Sequence, residues 1–157
     1  PMDVLDYARD TCSVARALEL VGDRWTVLIL REAFLGVRRF ADFERGVGCA
    51  RSVLSGRLAR LEAAGILRRE PYREAGQRVR HEYRLTAMGR ELYPILIALL
   101  RWGDRWLGEG EGPLEVVHRG CGAPVRVAVV CDEGHVDLSA RDGEPRPTAH
   151  ARRLSDA

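Results

Sequence analysis

The sequence predicts a mainly α, α+β fold: a helical head, a two-stranded hairpin, a long amphipathic helix and a small β-hairpin appendage. Three observations predict it. Apolar residues recur at helical spacing through the segments that end at Gly65. The period then shortens to strand-like alternation on either side of a Gly-bearing turn. After Thr86 a strongly apolar helical stretch begins, and beyond Gly108 the chain is punctuated by Gly and Pro.

Val14 to Leu20 reads as a short helix ended near Gly22. Asp23 is placed to cap a second helix, in which Trp25, Leu28, Ile29 and Glu32–Ala33 set the period and Gly36 the stop. Arg39 to Arg45 reads as a shorter helix with Phe40 and Phe43 on one face, and Gly46-Val47-Gly48 as a turn. Ser52 to Ala64 is the clearest helix, with Leu54, Leu58 and Leu61 at i, i+4 and i+7 and Gly65 where a left-handed cap is wanted.

Ile66 to Tyr72 reads as a strand, Glu74 to Gln77 as a turn and Val79 to Leu85 as the returning strand. Pro71 implies a sheet edge. Thr86 opens one long helix toward Leu107, with a kink expected at Pro94. Its apolar residues, from Leu92 to Trp106, cover more than half the circumference. A partner chain is the economical cover for such a surface; folding back on the first two helices is the alternative.

Residues 1–107 are thus expected to form one domain, residues 108–140 a small β-rich appendage, and residues 141–157 a disordered tail. The appendage shows β-like runs at Leu114–His118, Pro124–Cys131 and Val136–Ser139.

The net charge of +2 hides an asymmetry. All 25 basic residues are Arg, and between Val37 and Arg90 thirteen Arg face six acids. The rest of the chain carries 12 basic and 17 acidic residues. A basic middle between acidic flanks points to a localised polyanion-binding face. No apolar run approaches a membrane span. The first twenty residues mix Asp3, Asp6, Arg9 and Asp10 with apolar groups and do not read as a secretory signal. A cytoplasmic protein with reduced thiols is therefore expected. No nucleophile elbow, Gly-rich phosphate loop, paired-carboxylate signature or CxxC pair is present, so nothing points to an enzyme.

Three short helices followed by a hairpin are the order of a winged helix-turn-helix. In that arrangement the second helix of the pair enters the major groove of double-stranded DNA. Here it is Ser52–Ala64, with Arg39–Arg45 before it. With the leucines inward, the other face shows Arg51, Ser52, Ser55, Arg57 and Arg60, groups able to reach base edges and phosphates. Arg51, Ser52 and Ser55 are the candidates for base contact. Arg57 is equally suited to pair with an acid or a phosphate. Arg39 precedes the pair, and Arg73, Arg78 and Arg80 lie at or beside the hairpin turn, where a wing would follow the backbone or enter the minor groove.

Several separated motifs resemble the HxlR-type regulators, relatives of the MarR group. They are the run from Cys12 to Glu32, Gly36 with Arg39-Phe40-Ala41-Asp42-Phe43, Leu54-Ser55-Gly56-Arg57-Leu58, Gly65-Ile66-Leu67, Glu82-Tyr83-Arg84-Leu85-Thr86 with Gly89, and Trp102-Gly103. The resemblance covers about residues 12–107. It implies a homodimer, most often a repressor, on a palindromic operator, with the first and last helices forming the dimer interface. Ala50 departs from the usual hydroxyl N-cap of the reading helix, and Arg78-Val79 stand where the wing often carries two prolines.

Cys12 matches the N-terminal cysteine typical of the family, which in some members senses oxidants or electrophiles. Arg9, Arg16 and the helix start are placed to lower its pKa, and packing is the alternative role. Cys49 is expected to act as a small buried hydrophobe. In the appendage, His118-x-x-Cys121 and Cys131-x-x-x-His135 are candidate ligands for a structural zinc, against the alternative of a hairpin with ordinary reduced thiols. The expectation is a sequence-specific transcriptional regulator, with a redox or small-molecule effector. The rival is a responsive interaction module without specific DNA binding.

Overall fold

The computed structural model describes residues 12–76 and 78–151, so Arg9, Gln77 and the last six residues of the tail lie outside the described part. The chain runs α1 (Ser13–Val21), α2 (Arg24–Phe34), α3 (Phe40–Val47), α4 (Arg51–Ala63), β1 (Leu67–Tyr72), β2 (Arg80–Leu85), α5 (Ala87–Arg90) and α6 (Tyr93–Leu107).

Each boundary has a local cause. Asp23 caps α2, accepting from the Trp25 and Thr26 amides at 3.2 Å each, which satisfies donors that a helix start leaves orphaned. α3 runs on to Val47, two residues beyond the sequence expectation, and ends at Gly48 in the left-handed region. The turn is therefore shorter than Gly46–Gly48. α4 starts at Arg51, one residue early, from an Ala50 cap that offers no side-chain acceptor.

The core lies where α2, α3 and α4 meet the hairpin. Ile29, Phe43, Leu54 and Leu58 are fully buried, with Leu30, Leu61, Ile66 and Leu67 nearly so. Tyr83 closes one end, edge-on to Phe43 at 6.2 Å between ring centroids. β1 and β2 pair antiparallel, with Leu67 opposite Leu85 and Pro71 opposite His81. The β2 amide of Tyr83 also donates to the Arg38 carbonyl at 2.7 Å, tying the wing to the segment before α3.

The single long helix expected after Thr86 is replaced by two. Thr86 caps the four-residue α5, its hydroxyl accepting from the Gly89 amide at 3.1 Å. The chain then breaks at Glu91–Leu92 and α6 begins at Tyr93. Pro94 falls in the first turn of α6, where its missing N–H costs nothing, so it marks a helix start and not a kink. The α6 start rests on α2, with Phe34 and Tyr93 rings 5.1 Å apart.

The appendage is less regular than its β-like runs suggest. Its pairing reduces to one isolated bridge between Val117 and Pro124, and to a second chain reversal in which the Leu138 amide donates to the Val129 carbonyl at 3.0 Å. Gly112, Pro113, Gly120, Gly122, Pro124 and Gly134 bracket the runs and turn the chain before a ladder can extend.

Candidate nucleic-acid interface

The α4 leucines face inward, and Ser52, Ser55, Gly56 and Ala59 form the exposed outer ridge. The helical repeat accounts for this: Ser52, Gly56 and Ala59 fall at i, i+4 and i+7, opposite the Leu54–Leu58–Leu61 stripe. Nothing lies within 4 Å of a β-carbon built at Gly56. The ridge is thus narrow enough for close approach to a groove floor. Gly56 and Ala59 carry no polar group, so a search for hydrogen-bonding residues passes over them; the spacing from Ser52 was the available signal.

The arginines flanking this ridge are held by the protein itself. Arg51 Nη1 lies 3.0 Å from Glu44 Oε2, and its guanidinium sits 4.7 Å from the Phe40 ring centroid. That clamp presents the N-terminus of α4 from the surface of α3. On the other flank Arg57 turns toward the start of α2, with Nε 3.1 Å from Asp23 Oδ1. Arg60 donates from Nη2 to the Glu19 carbonyl in α1. Asp23 is the partner that sequence inspection missed, because only the docking of α4 on α2 brings the two groups together.

In the wing, Arg39 bridges to Glu74 Oε1 at 2.8 Å and covers the Tyr72 ring at 4.7 Å. Arg73, Arg78 and Arg80 are exposed around the turn, which Gly76 carries through a positive φ of 76°. Glu70 and Glu82 stand directly opposite across the strands. Like charges there would repel, and Arg84 relieves them, reaching Glu70 at 2.7 Å and Glu82 at 2.5 Å. The Arg68 hydrogen bond holds the Glu70 carboxyl below its usual range, against the effect of desolvation and with help from the Arg68, Arg84 and Arg38 charges.

A second surface is apolar. Ile95, Leu99, Trp102 and Trp106 repeat at i, i+4, i+7 and i+11 along α6, and each is at least half exposed. Val14 and Leu18 on α1 are likewise exposed, and α1 buries no residue at all. Both helices are amphipathic, yet within the chain these faces meet solvent.

Cys12 is exposed at the N-cap of α1 and in no disulfide. Cys49 is half-buried against the core. The four appendage ligand candidates fall into two pairs. His118 Nδ1 lies 3.3 Å from Cys121 Sγ, and Cys131 Sγ lies 3.1 Å from His135 Nδ1. Among the described residues no three His, Cys, Asp or Glu side chains gather as a metal-binding group. Among them, too, no helix is long and apolar enough to cross a membrane.

Helices α2 to α4 with the β1–β2 wing define a winged helix-turn-helix protein. The profile of the HxlR-like helix-turn-helix family matches residues 20–111, and the chain belongs to that family. It is 46% identical over 136 residues to Rv3095, an uncharacterized HTH-type transcriptional regulator of Mycobacterium tuberculosis; the match spans 86% of this chain and 85% of that protein. Among solved structures it is similar to PA1607, described as a candidate transcription factor. The TM-score is 0.78 and the identity 35%, over 89% of this chain and 97% of that one. It is also similar to the redox regulator HypR in its oxidized form, with a TM-score of 0.54 and 33% identity, over 59% of this chain and 95% of that one.

Proposed function

We propose that the chain is a sequence-specific, DNA-binding transcriptional repressor that acts as a homodimer on a palindromic operator. The observation that carries this reading is the α4 outer ridge of Ser52, Ser55, Gly56 and Ala59, flanked by Arg51 and by the exposed wing arginines Arg78 and Arg80. Small residues let the helix seat deeply, serines reach base edges, and the wing arginines neutralise phosphates. The fold and the HTH-type regulators among its relatives support the same reading.

The exposed stripes of α1 and α6 support a two-fold dimer, in which each face covers its counterpart. Two reading helices would then meet half-sites about one DNA turn apart, roughly 10 bp or a multiple. Bound at a promoter, such a dimer represses by occlusion. Its signal is an oxidant, electrophile or small molecule. Exposure of Cys12 favours a thiol route, as does similarity to a protein described as a redox regulator.

Selection of bound sequences from a random duplex pool, repeated after oxidation, tests this. A two-fold motif with turn-related spacing is the expected result. Absence of duplex affinity at low salt overturns the reading in favour of an interaction module without specific DNA binding. Equal binding before and after oxidation rules out the thiol signal.

A further inference from the structure

The Arg57 guanidinium lies on a flank of α4 that faces away from the groove-reading ridge. Leu54 and Leu61, at i−3 and i+4, border it on the inward side, and its own side chain is one-third exposed. Its Nε atom is buried, 3.1 Å from Asp23 Oδ1, but the angle does not make an aligned hydrogen bond. The contact is therefore an ion pair maintained by the relative position of two helices.

Asp23 has little freedom to follow Arg57. Its Oδ1 accepts from the Trp25 and Thr26 amides, and its Oδ2 accepts from the Thr26 hydroxyl at 2.5 Å. Thr26 is itself 1% exposed. The carboxylate is thus anchored to the first turn of α2, where the helix dipole also favours negative charge. An arginine paired to so rigid an acceptor restrains the helix it projects from. Arg60, one turn on, ties the same flank to the last turn of α1 through the Glu19 carbonyl. Arg51 holds the opposite flank to Glu44. These contacts restrain from both sides the roll of α4 that its buried Leu54, Leu58 and Leu61 establish, and the roll decides whether Ser52 and Ser55 point at base edges.

We infer that Arg57 is a positioning residue for DNA recognition: paired to the capping carboxylate of Asp23, it holds the roll of α4 and makes no phosphate contact of its own. This rests on α4 being the DNA-reading helix. For Arg57 to reach a phosphate it would have to leave the Asp23 carboxylate, toward which its side chain is already turned.

The test compares wild type, Arg57→Met, Asp23→Asn and the double variant, each as the full chain. Affinity is measured against salt for a duplex selected by the wild type and for a random duplex, with a thermal melt for each protein. Asn keeps the capping oxygen that accepts from the Trp25 and Thr26 amides, while it removes the charge and the second acceptor, which the Thr26 hydroxyl uses; as a preferred cap residue it leaves Asp23→Asn expected to fold. The expected result is a loss of about tenfold or more on the selected duplex for each single variant, about 1.4 kcal/mol. Random-duplex affinity should stay within about twofold, the salt slope should be unchanged, and the double variant should lose little more than either single one. A slope lowered by about 0.9 in Arg57→Met identifies a phosphate contact and overturns the inference. So does full selectivity in Asp23→Asn, which decides the matter even if Arg57→Met does not fold. A wild type that binds no duplex at low salt defeats the reading of α4 itself, and the inference with it. A wild type that binds selectively while its variants keep that selectivity defeats the inference alone.

Discussion

A β-carbon added to Gly89 would lie 2.2 Å from the carbonyl oxygen of Ile66. The same carbonyl accepts from the Thr86 amide at 3.1 Å, and the Thr86 hydroxyl donates to the neighbouring Gly65 carbonyl at 2.6 Å. α5 is thereby seated on the junction between α4 and β1.

Gly89→Ala is expected to destabilise the chain by about 1–3 kcal/mol, because the clash is with backbone and cannot be relieved by a rotamer change. Chemical denaturation measures it. Wild-type stability in that variant would show that the α5 contact is not needed to seat the helix.

The wing contains two kinds of arginine. Arg39 is tied to Glu74 and Tyr72, whereas Arg78 is exposed beyond them. Arg78→Ala is expected to weaken binding to all duplexes, to lower the salt slope by about 0.9, and to leave the melting temperature unchanged. An unaltered slope would remove Arg78 from the phosphate contacts.

Ser55→Ala is expected to cost about 1–3 kcal/mol on the selected duplex and far less on random sequence, since a base-edge contact carries specificity. Equal losses on both duplexes would assign Ser55 to backbone contact.

The α6 stripe should fail as an interface once it is charged. Leu99→Glu places a carboxylate among Ile95, Trp102 and Trp106, where burial without a partner is costly. Sedimentation at micromolar concentration is expected to show dimers for wild type and monomers for the variant. A wild-type monomer, or a dimeric variant, would place the interface elsewhere.

Acid should release the Asp23 contacts. Burial works to raise the Asp23 pKa, but the Thr26 hydroxyl and amide, the Arg57 charge and the Trp25 amide outweigh it and hold the carboxyl below its usual range. A depressed folded pKa means that the stabilisation is present above the unfolded value of about 3.9 and is lost as pH falls through the folded value. The stability gap between wild type and Asp23→Asn should therefore be flat from about pH 8 to 5 and close below about pH 4. A gap that widens on acidification would contradict the assignment.

Much of the fold was legible in the sequence because its signals are local. Leu54, Leu58 and Leu61 state their helix by spacing, Asp23 states a helix start, and the change of period after Gly65 states the wing. The helix break at Glu91–Leu92 was less legible. Apolar spacing continues across it, and Pro94 is compatible with either a kink or a start. The candidate reading face was legible as a set of residue types, though not as a set of roles.

By itself, the sequence determined the winged helix-turn-helix order, the basic middle segment and the family to which the chain belongs. Only the tertiary structure decided which arginines are tied to the protein's own acids. Arg57 meets Asp23 across 34 positions of chain, and Arg39 meets Glu74 across 35. The physical reason is one of range: helical and strand periods are set by neighbours within a turn, whereas an ion pair between elements exists only after their apolar faces have docked and fixed the distance between the charges.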